Sequence, residues 1–187
     1  SWDALTTSIN LGYAATLSSY NIYWDAGLGG QFILINQTIL NQLTLNNLQT
    51  GSTYSFYITA SNMYGEGVKS STVSMRVATA PNTPLPVVLT QVGTLCVINV
   101  LEPLSNGAPI TSYTVQFLNK SSGTYVTQAS LCNGALIVSS LTCQVPISAF
   151  SSTLGYSAGQ FIKVIVSATN QNGNSMYSNP NTDSVVV

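Results

Sequence analysis

Charge is what this chain has least of. Four Lys and Arg and five Asp and Glu make up 5% of 187 residues, for a net charge of −1. Globular domains usually carry about 25% charged residues. So small and balanced a charge excludes the basic footprint of a nucleic-acid binder, and no basic run is left for a membrane surface. Histidine is absent altogether, which removes the usual base of a serine triad and the commonest zinc and copper ligand. The three cysteines, Cys96, Cys132 and Cys143, form no Cys-x-x-Cys pair. Long apolar runs are missing too. The longest stretch, Pro86 to Leu101, is broken by Thr90, Gln91, Gly93, Thr94 and Asn99, whereas a membrane helix needs roughly 20 nearly continuous apolar residues. No membrane span is expected. No secretion leader is visible before Trp2, so export implies a leader already removed or a piece of a longer chain.

The few acids do not cluster. Asp3, Asp25, Glu66, Glu102 and Asp183 fall on separate elements, which suits neither a calcium loop nor the paired carboxylates of glycoside chemistry. Gly27, Gly29 and Gly30 follow one strand and precede another. They read as a hairpin turn, since a phosphate loop needs a helix N-terminus. No catalytic residue, metal ligand or cofactor is expected, and the chain reads as non-enzymatic.

What the chain does have is short alternating runs of Val, Ile, Tyr and Thr punctuated by Gly, Asn and Pro. That pattern predicts an all-β protein of many short strands. It also repeats. Residues Ser19-Tyr20-Asn21-Ile22-Tyr23-Trp24 match Ser112-Tyr113-Thr114-Val115-Gln116-Phe117, and Ile58-Thr59-Ala60-Ser61-Asn62 match Val166-Ser167-Ala168-Thr169-Asn170. The order is the same in both, so two copies of one unit are expected: residues 1–80, a proline-rich linker at 81–86, and residues 87–187. Alternation puts Tyr20, Ile22 and Trp24 on one face with Tyr54, Phe56, Ile58 and Ala60. In the second copy Tyr113, Val115 and Phe117 share a face with Ile162, Val164, Val166 and Ala168. One face in and one out is the pattern of a two-sheet sandwich. Tyr23, Tyr57 and Tyr64 are expected outward or in loops, either as contact residues or as cross-strand pairs.

Cys132 and Cys143 flank a segment that reads as strand-loop-strand and are expected to form a disulfide, with Cys96 left over in an apolar strand; three unpaired buried thiols are the alternative. A chain this neutral self-associates unless something hydrates its surface. Two sequons offer that hydration, at Asn36 and Asn119. Asn119 sits in a polar turn. Asn36 sits in Gln31 to Asn36, where an outward asparagine would turn Phe32 and Leu34 outward as well and make them interface candidates; a bulge resetting the register is the competing reading.

The stretch Leu48-Gln49-Thr50-Gly51-Ser52-Thr53-Tyr54, followed by Ala60-Ser61-Asn62 and Gly65-Glu66-Gly67, resembles the E–F region of a fibronectin type III domain. The resemblance covers the whole chain. It implies a tyrosine corner at Tyr54, whose phenol bonds back to the backbone, a strand B tryptophan at Trp2, and an extracellular or cell-surface setting. The second copy departs from it, with Ile162 in place of Tyr54 and Val100 in place of Trp2, so its corner bond is expected to be absent.

The first copy is also short at its beginning. Residues Pro86 to Val97 precede Val100, but only Ser1 precedes Trp2, so strand A and most of strand B of the first sandwich are expected to be lacking. A chain cut in mid-domain, a strand donated by another copy, and an unusual truncated sandwich are the three readings. For donation, the tail Val185, Val186 and Val187 is the candidate donor and Trp2 part of the acceptor. The resulting expectation is an extracellular structural protein, glycosylated and disulfide-stapled, whose partners are its own copies in a homo-oligomer or filament and N-linked glycans. The alternative is an adhesion or receptor ectodomain binding a protein or glycan ligand.

Overall fold

A computed structural model describes residues 1–5 and 15–187. The chain divides into two compact units, Ser1–Val77 and Ala78–Val187.

In the first unit the alternating runs form β1 (Ser19–Trp24), β2 (Ile33–Thr38), β3 (Thr53–Asn62), β4 (Gly65–Glu66) and β5 (Val73–Arg76). They make one antiparallel sheet in the order β2-β1-β3-β4, with β5 continuing along β3. The β1–β2 hairpin turns through residues 25–32, as the glycines predicted. Gly27 is required there twice over. Its φ is +76°, and a side chain would meet the Tyr54 ring at 3.0 Å.

The register settles which residues share a face, because residues directly opposite in an antiparallel pair point the same way. Tyr20, Ile22 and Trp24 lie opposite Ala60, Ile58 and Phe56. On the β2 side the register slips: Ile22 faces Asn36, but Tyr23 faces Leu34. Ile35 is the extra residue of a β-bulge, and a bulge flips the side chains beyond it relative to strict alternation. Asn36 therefore shares the face of Ile22, whereas Leu34 shares the face of Tyr23. The expectation that Asn36, Phe32 and Leu34 point the same way is corrected by that bulge.

In the second unit, β6 (Val88–Val92), β7 (Leu95–Asn99) and β10 (Thr142–Pro146) form a three-stranded sheet in the order β10-β7-β6. The partner sheet contains β8 (Ile110–Leu118), β9 (Tyr125–Thr127), β11 (Val164–Asn170) and β12 (Gly173–Asn174) in the order β12-β11-β8-β9. Three strands against four, in this order, is a fibronectin type III-like sandwich, and the described residues are all-β apart from one short helix. Between the sheets lies one apolar core in which Ile98, Phe117, Val145, Ile162, Val164 and Val166 are fully buried.

That helix, α1 (Ile147–Leu154), was not expected. It follows Pro146 and stops at Gly155, whose left-handed φ of 71° closes the last turn. It buries Phe150 and Leu154, four apart on one face. Phe150 meets Phe117 edge-on at 5.8 Å, so the helix plugs one end of the core.

The tail pairs within its own unit. Val186 bridges to Phe161, Ile162 N–H donates to the Val185 carbonyl at 3.0 Å, and Val185 is buried. Val185, Val186 and Val187 thus complete their own sandwich, because residues 159–162 offer them an unpaired edge.

Candidate interaction surface

Equivalent positions in the two units differ most on the inner face of the sheet. Tyr20 and Ile22 are as buried as Tyr113 and Val115. Val164 and Val166 are fully buried beneath β6, β7 and β10, but their counterparts Phe56 and Ile58 are half-buried. Next to them Val73 and Met75, on the same face of β5, are 57% and 63% exposed. Among the described residues the first unit has no second sheet to cover them. What lies there is an open cleft of about 740 Å³ whose walls include Trp2, Ile22, Leu45, Phe56, Ile58 and Met75, with Asp3 its one carboxylate.

Trp2 is held at the rim. Its N–H donates to the Asn41 carbonyl, the Asn41 amide donates back to the Trp2 carbonyl, both at 3.1 Å, and its ring meets Tyr20 edge-on at 5.4 Å. Tyr20 Oη in turn accepts the Leu5 N–H at 2.8 Å. The Trp2 indole N–H is buried with no acceptor among the described residues. A buried donor left unpaired costs about 1–3 kcal/mol.

The expected tyrosine corner is present. Tyr54 Oη accepts the Gln49 N–H at 3.0 Å, and Trp24 stacks on the Tyr54 ring at 5.4 Å. Ile162 stands at that position in the second unit and is fully buried. Tyr156 there makes a different bond, accepting the Lys163 N–H at 3.2 Å. Asp25, at the end of β1, accepts the N–H groups of Ser55 and Gly27, each at 2.9 Å. Those donors hold its carboxyl below the ordinary 3.8.

The outer face of the first sheet is a built surface of its own. Asn21 donates to Thr59 Oγ1 at 3.1 Å and Ser61 Oγ at 2.8 Å, and accepts from Gln37 at 3.0 Å. Glu66 accepts from the Thr59 and Tyr23 hydroxyls, which lowers its pKa. Tyr23 and Tyr57, opposite each other in register, stack at 4.8 Å. Phe32 packs on Tyr57 at 4.9 Å, and Leu34 is exposed beside Tyr23. The tyrosines are thus cross-strand partners, and Phe32 belongs with them.

The remaining expected sites fall in the second unit, apart from Asn36. Cys132 and Cys143 are joined by a disulfide. Cys143 lies on β10, but Cys132 lies between two turns, residues 129–131 and 134–140, instead of on a strand. Cys96 is the free, buried cysteine, and burial pushes its thiol up to about 11. Asn119 opens the β8–β9 turn, whereas Asn36 lies within β2. Sequence reasoning missed the role of Asn170. Its amide donates to the carbonyls of Thr79 at 2.8 Å and Ser105 at 2.9 Å, tying the start of the unit to the end of β11. The repeated Ala-x-Asn was the available signal. Among the described residues no helix is long and apolar enough to cross a membrane.

No family model matches the chain, and no curated protein matches it. Among solved structures it is similar to domains A168–A170 of titin, at 20% identity and a TM-score of 0.49, covering 85% of this chain and 51% of that one. It is also similar to the FN1–FN3 domains of chicken CNTN1, at 18% identity and a TM-score of 0.40, covering 90% and 56%. The chain spans about half the length of each.

Proposed function

We propose that this chain is a structural component of the cell exterior, whose leading unit is completed by a β-segment of another copy, so that copies join into a glycosylated fibril or surface coat. One observation carries the reading: the apolar face buried by three strands in the second unit has no covering strand among the described residues of the first. Covering Phe56, Ile58, Val73 and Met75 removes apolar surface from water at about 25 cal/mol per Å². With one carboxylate in the cleft, little like-charge repulsion opposes the approach of a second copy. The disulfide accords with an oxidising compartment. The tail Ser184–Val187 is a poor donor, since leaving residues 159–162 would open its own sandwich.

Size-exclusion chromatography with light scattering tests the reading on the full chain. The wild type is expected above its 19.7 kDa monomer mass, with Ile58→Lys returning it to monomer. A monodisperse wild-type monomer at every concentration sinks it. The second reading, an adhesion or receptor ectodomain, draws on the Tyr23, Tyr57 and Phe32 surface. Binding of a soluble partner by a monomer, lost on Tyr57→Ser, would favour it.

A further inference from the structure

We propose that Asn119 carries an N-linked glycan and that Asn36, despite its matching triplet, stays bare; this rests on the extracellular reading above. Both asparagines are half-buried, but their neighbours differ. Asn119 opens a turn in which residues 120–124 are all exposed. Its Oδ1 accepts the N–H groups of Ser121 at 2.9 Å and Ser122 at 3.1 Å, fixing the side chain in an Asx turn. Nδ2, the atom a sugar joins, makes no hydrogen bond among the described residues.

Asn36 lies in the middle of β2, directly across from Ile22. Side chains so paired have Cβ atoms about 4.5–5.5 Å apart on one face. That face holds Tyr20 and Ile22, both almost fully buried, and Ile22 lines the cleft. A sugar on Asn36 would set hydrated hydroxyls against this apolar surface, and burying them without partners is costly. The bulge at Ile35 decides the matter: unbroken alternation would have put Asn36 on the face of Leu34.

The chemistry requires a lipid-diphosphate-linked oligosaccharide and a transferase of the secretory route. Nδ2 of Asn119 bonds to the anomeric carbon as its bond to the diphosphate oxygen breaks. The lipid diphosphate leaves and the amide gives up one proton, with no change of oxidation state.

The test secretes the full chain from a eukaryotic host and removes sugar with an amide-cleaving glycosidase in heavy-oxygen water, which converts each occupied Asn to a mass-tagged Asp. Tag at Asn119 and none at Asn36 is the expected result, with Asn119→Gln abolishing the whole gel shift and Asn36→Gln none of it. Tag at Asn36, or a bare Asn119, overturns the proposal. Thiol alkylation of the same sample separates the causes. A secreted chain with Cys132 and Cys143 oxidised but Asn119 bare overturns the modification and leaves the exterior reading standing. A retained chain with both thiols reduced and no sugar overturns both.

Discussion

Replacing Asn170 tests the joint at the start of the second unit. Its side chain is 3% exposed, and its amide faces three carbonyls: Thr79 at 2.8 Å, Ser105 at 2.9 Å and Ala108 at 3.4 Å. Its oxygen accepts the Asn172 N–H at 2.8 Å. Asn170→Ala removes two short donated bonds, one long one and one accepted bond. At roughly 0.5–1.5 kcal/mol net for each good bond, the expected loss is about 2–4 kcal/mol. Asn170→Asp keeps the accepted bond but turns a second oxygen on three carbonyls, so it should cost more than alanine. Urea unfolding read by Cys96 alkylation measures the second unit, because that buried thiol reacts only when the core opens. An alanine variant within about 0.5 kcal/mol of wild type, the range of an ordinary surface change, would refute the reasoning. An aspartate variant milder than alanine would refute it too.

Removing the disulfide as Cys132→Ser with Cys143→Ser should cost the second unit about 3 kcal/mol, from the entropy of a loop closed at a separation of 11 residues; urea curves read by circular dichroism check this. Tyr54→Phe leaves Gln49 without its acceptor and should cost the first unit about 1 kcal/mol, read by the tryptophan emission that only this unit supplies through Trp2 and Trp24. Because the folded Asp25 carboxyl lies below the ordinary 3.8, the stability it contributes is present above that value and lost as pH falls through the lower, folded one. The first unit should weaken over that acid range, and Asp25→Asn should flatten the acid response of Trp24 to what Glu66 contributes in the same direction. A variant as acid-sensitive as wild type would contradict this.

Much of the fold was legible because period-two alternation is a direct consequence of strand geometry. Tyr20, Ile22, Tyr113, Val115 and Phe117 are inward as read, and the tyrosine at the head of β3 makes its corner bond. The Ile35 bulge was legible only as a competing reading, since one extra residue leaves no mark on composition yet reverses every side chain beyond it. The helix at Ile147–Leu154 was hidden by Ser- and Thr-rich sequence, although Pro146 and Gly155 bracket it and Phe150 and Leu154 are spaced for it. The tail's pairing with residues 159–162 was hard to read because those residues are not in a regular strand. The open face was suggested by comparing the two copies, but its walls, including Leu45 and Met75, needed the structure, since no local pattern brings them together.

Collisional quenching of tryptophan emission by iodide, followed as concentration is raised, addresses the open face most directly. Both tryptophans belong to the first unit, and Trp2 stands on the cleft wall. Quenching should fall in step with the gain in mass as a second copy covers the cleft, and Ile58→Lys should hold it at the dilute value. A rise in mass with quenching unchanged would mean that copies meet elsewhere and that the cleft stays open to water.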